Sequence, residues 1–144
     1  MMTAFRRTEK HYKMSDDEFE SKFQNCQLDP IIFTHEAHLR LAYIHIQKYG
    51  EAQAIENIRA QLKDYVNHVG EKGKYHDTVT VISIKEIALR MLQSKQPDFK
   101  SFMSEFPELQ NDFKSVINSR YTFDVFPSKE AKESFIAPDK TPYH

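Results

Sequence analysis

The sequence predicts an all-α fold, a compact bundle of four main helices followed by short C-terminal helices and an ordered tail. Three observations predict it. Glycine is scarce, with only Gly50, Gly70 and Gly73 in 144 residues, which disfavours both the turns of an all-β meander and a phosphate-binding loop. Apolar residues recur at spacings of three, four and seven over windows too long for strands. Helix-starting Ser, Thr and Asp and helix-stopping Gly and Pro fall at the edges of those windows.

Taken in order, Ser15-Asp16-Asp17-Glu18 opens a first helix, since Ser15 can accept from free amide groups and the acids suit the positive end of the helix dipole. It should end near Cys26, before Pro30. Thr34 caps a second helix that runs to Tyr49, where Gly50 can take a left-handed stop. The third covers Glu51 to His68, with Ile55, Ile58, Leu62, Tyr65, Val66 and Val69 on its core face and Gly70 as its stop. After His76 the stretch Thr78-Val79-Thr80-Val81 alternates and is β-branched, which alone reads as a strand. The face set by Val81, Ile84, Ala88, Met91 and Leu92 continues past strand length to Pro97, so a fourth helix is predicted. One or two shorter helices follow Asp98 and Pro107 up to about Tyr121, with Phe99, Phe102 and Phe106 as core. Residues 122–144 read as a tail laid over the core, with a short helix capped by Ser128, and residues 1–13 as a flexible N-terminal segment. The whole is one domain, long enough to bury a core without disulfides or structural metal.

Composition excludes several function classes. Lys and Arg number 20 against 21 for Asp and Glu, a net charge of -1, so no excess charge exists to condense on nucleic acid or an anionic membrane, and neither partner is expected. Cys26 is the one cysteine, which rules out an internal disulfide and a multi-thiolate metal site and fits a reducing compartment. No uncharged stretch approaches the roughly 20 residues that span a bilayer, and no signal-peptide pattern opens the chain. A cytoplasmic protein is expected, its oligomeric state left open.

The histidines carry the functional signal. With about 100° per residue and His35 at zero, Leu39, Ala42 and Ile46 fall within about 40° of it, so His35 points inward; Glu36, Arg40, Gln47 and Lys48 occupy the polar arc. His38, one turn on, can converge with His35 on one atom. His76 heads the fourth helix, whose start lies beside that of the second in an antiparallel bundle. Three neutral imidazoles would suit a divalent transition metal such as zinc, with His35, His38 and His76 as ligands and Asp77 or Glu36 adding an oxygen or orienting a ring. The same residues could instead form a metal-free site for a small ligand or for acid-base chemistry, or a satisfied polar network with Tyr75, Thr78 and Thr80. His35-Glu36-Ala37-His38 lacks the four-residue separation of the zinc-protease motif, and no Glu-x-x-His occurs to build a di-iron site. The pair His76-Asp77 also invites comparison with metal-dependent phosphohydrolases, but theirs closes an apolar helix, whereas Lys72 to Tyr75 is polar. Arg40 reads as a solvated charge that, if near His76, could grip a carboxylate or phosphate. His11, His45, His68 and His144 receive no role.

Phe33-x-His35-x-x-His38-Leu39-Arg40-x-Ala42, then Lys74-Tyr75-His76-x-Thr78-x-Thr80, and finally Pro138-Asp139, together resemble a family of small, uncharacterised bacterial all-helical proteins. The resemblance spans roughly residues 28 to 142, with Tyr43 where Trp is expected and Tyr143 where Leu is more usual. It implies a bacterial helical domain with His35, His38, Arg40, Tyr75, His76, Thr78 and Thr80 at the site, and no particular activity. The expectation drawn from all of this is a protein with a His-rich pocket that binds a metal or small ligand, as a hydrolytic or proton-transfer enzyme or, in the alternative, as an accessory domain whose cluster is structural.

Overall fold

The computed structural model describes residues 9–143, among which there are eight α-helices and no strand. Helices α1 (Asp16–Gln24), α2 (His35–Tyr49), α3 (Glu51–His68) and α4 (Asp77–Gln93) are the four main ones, and α5 (Phe99–Glu105), α6 (Glu108–Asn111), α7 (Phe113–Asn118) and α8 (Lys129–Glu133) are short. Their starts follow the expected chemistry. Ser15, Thr34, Asp98 and Ser128 each accept from the amide three residues on, at 3.2, 3.2, 2.9 and 3.2 Å. Gly50, at φ 83°, closes α2 and opens α3 in one residue, a conformation that costs a residue with Cβ about 1 kcal/mol or more.

The long helices α2, α3 and α4 pack on one another, and Leu39, Ala42, Ile58, Leu62, Ile84 and Ile87 fill the space between them. The β-branched opening of α4 is helical because Val81, Ile82 and Ile84 are all nearly inaccessible there, and tertiary burial outweighs the small β preference of such residues. Phe99 and Phe102 lie in the main core as expected. A smaller cluster of Ile82, Ile117, Tyr121, Val125 and Ala131 binds the C-terminal segments to the other side of α4.

Four expectations need correcting. The segment after Asp98 forms three short helices, because Asp112 leaves helical geometry at φ -144° and separates α6 from α7. Leu92, assigned to the core face of α4, is 87 % exposed in the last turn, beyond the neighbours that cover Ile84 and Ile87. Within the N-terminal segment expected to be flexible, residues 1–8 lie outside the described residues, but Lys10–Lys13 is a 3-10 turn with His11 fully buried. That turn changes the environment of α2: the first half of its polar arc is covered, so Glu36 and Arg40 are buried instead of solvated, while Gln47 and Lys48 are exposed.

Candidate functional site

The beginnings of α2 and α4 do lie side by side. Between them and the middle of α3 is a cleft of about 330 Å³, at the small end of the roughly 300–1,000 Å³ typical of small-molecule sites. Its walls are His35, His38 and Leu39 from α2, Ile58 and Leu62 from α3, and Val79, Thr80 and Ser83 from α4, with Phe113 of α7 at one side. Among the described residues none that lines it is Lys, Arg, Asp or Glu.

Backbone partners fix the imidazoles. His35 Nε2 lies 2.9 Å from the carbonyl oxygen of Leu109, and Phe113 meets the ring edge-on at 4.6 Å. A carbonyl only accepts, so Nε2 carries the hydrogen and Nδ1 keeps its lone pair. His38 is the mirror case: its Nδ1 donates to the Thr34 carbonyl at 2.8 Å, which leaves the lone pair on Nε2. Phe33 stacks on the His38 ring at 3.7 Å. Solvent reaches this ring along the cleft while protein surrounds the rest of it. That surrounding protein, with a further contribution from neighbouring His35, outweighs the Thr34 carbonyl and pushes the His38 pKa down to about 4. Thr80 and Ser83 donate their hydroxyl hydrogens to the carbonyls of His76 and Val79, at 2.7 and 2.5 Å, the back-bonding that Ser and Thr adopt in helices.

His76 does not join them. It is the N-cap of α4, and its Nδ1 accepts from the Val79 amide at 3.1 Å while its Nε2 donates to the Val125 carbonyl at 2.9 Å. Both nitrogens are therefore spent on backbone, with no lone pair to offer a metal. Among the described residues no group of three or more His, Cys, Asp or Glu is placed to hold a metal ion, so the expected His35, His38 and His76 ligand set is not assembled. Side-chain direction explains the outcome: a capping ring folds over its own first turn and away from a facing helix.

The chain matches no known protein family, no curated protein and no solved structure.

The other expected site residues are occupied elsewhere. Asp77 takes a two-point contact from Arg59 at 3.1 and 3.0 Å and a hydrogen bond from Tyr75 at 2.6 Å. Burial opposes ionisation of that carboxyl, yet the Tyr75 and Arg59 hydrogen bonds hold its pKa below the usual value. Burial and the Asp77 contact push the Tyr75 phenol well up. Thr78, fully buried, donates to the Ser134 carbonyl at 3.1 Å and accepts from the Ile136 amide at 3.0 Å. Arg40 is 5 % exposed and far from solvated: it donates to the carbonyls of His11 and Met14 at 2.6 and 2.9 Å, pairs with Asp16 at 2.8 Å, and lies over the Phe19 ring. Both terminal nitrogens of its fork are engaged in this way, which leaves no two-point grip for a carboxylate or phosphate beside His76.

Sequence reading missed two groups. Ser83 and Phe113 line the cleft, and only the i, i+3 spacing of Thr80 and Ser83 hinted at the first. Buried Glu86 joins Arg90 at 2.8 Å, Arg120 at 2.9 Å and the Tyr143 hydroxyl, tying the tail to α4 beside a more polar hollow of about 450 Å³. Glu86 and Arg90 show the i, i+4 spacing of a helix ion pair, but nothing local pointed to Arg120 or Tyr143.

Proposed function

We propose that this protein binds a small, largely apolar organic molecule in the cleft between α2, α3 and α4, with His35 and His38 as its neutral polar contacts. The observation that carries the reading is that both rings are oriented by backbone carbonyls, and each retains one unshared lone pair at an apolar cleft. Such groups accept a hydrogen bond or take up a proton. Neither Thr80 nor Ser83 is bonded to an imidazole among the described residues, so nucleophilic hydrolysis has no activated hydroxyl here. Binding, with proton transfer as its accompanying chemistry, is the function that the arrangement supports best. His76, Thr78, Tyr75, Asp77 and Arg40 are then the framework that holds the helices and termini around the cleft.

Toluene provides the test, since its apolar ring suits the Leu, Ile and Val walls of the cleft. Methyl spectra of the protein titrated with toluene are expected to shift at Leu39, Ile58, Leu62 and Ile84. Shifts confined to other surfaces, or no shift near saturation, would refute a ligand cleft.

A further inference from the structure

The hydrogen bookkeeping of the cleft goes further than its shape. His35 Nε2 and His38 Nδ1 spend their hydrogens on the carbonyls of Leu109 and Thr34, and Thr80 and Ser83 spend theirs on the carbonyls of His76 and Val79. What remains for a ligand, among the described residues, is a set of lone pairs with no side-chain donor. Among the described residues no charged side chain lines the cleft, so a carboxylate or phosphate would lose its water shell for no donor, and an ammonium for no counter-charge.

We propose that the cleft selects a neutral molecule with an apolar body and a hydroxyl group, the hydroxyl donating to His38 Nε2 or His35 Nδ1. This rests on the cleft being a ligand site, and it names the class of ligand. Size fits as well: an apolar cavity of about 150 Å³ accepts one benzene, and the cleft here measures about 330 Å³, room for a substituted ring or a chain of comparable bulk. An acceptor left facing an apolar group is penalised, so discrimination comes from the polar end and affinity from the body.

The test compares 4-ethylphenol with its methyl ether, 4-ethylanisole, in the native chain and in His38→Leu, by calorimetry near neutral pH. His38 is exposed and the Thr34 carbonyl also accepts the His38 backbone amide at 2.9 Å, so this variant keeps the α2 start intact. The ratio of phenol to ether affinity is expected to be about threefold to tenfold higher in the native chain than in the variant, the worth of one net hydrogen bond. Comparing both chains cancels the different water solubility of the probes. The His38 Nε2 resonance should move with phenol and not with ether, and 4-ethylcyclohexanol in a parallel arm tells an alcohol from a phenol source. Equal ratios in the two chains, or tighter binding of 4-ethylbenzoate than of the phenol, would overturn the hydroxyl inference while leaving an apolar ligand cleft standing. If neither the phenol nor the ether binds, the cleft reading itself fails and the inference with it.

Discussion

Thr78→Val isolates the role that the structure gives to the second half of the histidine motif. Valine matches threonine in shape, so the fully buried pocket stays filled, but the donor to Ser134 and the acceptor for Ile136 both vanish. Ser134 is exposed and its carbonyl regains water, whereas the Ile136 amide is in a half-buried setting. One bond partly replaced and one lost cost about 1–3 kcal/mol together. A chain of this size loses about 2–4 °C in melting temperature per kcal/mol, so calorimetry should record a fall of about 3–10 °C. Hydrogen exchange supplies the local readout: the Ile136 amide should lose its protection while amides in the middle of α3 keep theirs. Thr78→Ser, which retains the hydroxyl, should keep Ile136 protected. An unchanged melting temperature with Ile136 still protected in Thr78→Val would refute the tail-anchoring assignment.

His76→Ala removes a helix cap and the bond to Val125, a loss of about 2 kcal/mol, while His76→Ser restores the cap and should recover about half of it by chemical denaturation. Neither should alter binding of 4-ethylphenol by more than about twofold, because both His76 nitrogens serve the fold; loss of binding in the serine variant would return His76 to the site. Arg40→Lys keeps the charge but cannot serve the carbonyls of His11 and Met14 together with Asp16, and should cost about 2–3 kcal/mol with loss of amide protection in the 3-10 turn. Stability should also fall on acidification. Burial lowers the pKa of His11 and His45, both fully buried, below the ordinary value, so below about pH 6.5 the unfolded chain binds more protons. The stabilisation is present above pH 6.5 and is lost progressively below it; a melting temperature flat from pH 7 to 4.5 would contradict these burials.

Much of the fold was legible because its signals are local. Ser15, Thr34, Gly50 and Gly70 bound their helices through backbone chemistry that acts within four residues, and the apolar periods of α2 to α4 report which faces meet. The neighbouring starts of α2 and α4 followed from antiparallel packing. The failures share one cause, namely partners distant in sequence. Nothing near Arg40 announces that residues 11 and 14 will close over it, and nothing near His76 announces the Val125 carbonyl that takes its second nitrogen. That His35 and His38 face the space now seen as the cleft followed from helix geometry alone. Their tautomers did not, because one of them depends on the Leu109 carbonyl, 74 residues away.

The protonation pattern of the imidazoles decides the account. Long-range proton-nitrogen spectra of the ligand-free protein at pH 7 should show the hydrogen of His38 on Nδ1 and the hydrogens of His35 and His76 on Nε2, so that two unshared lone pairs remain at the cleft. A His38 ring with its hydrogen on Nε2, or a His35 or His76 ring with its hydrogen on Nδ1, would contradict it.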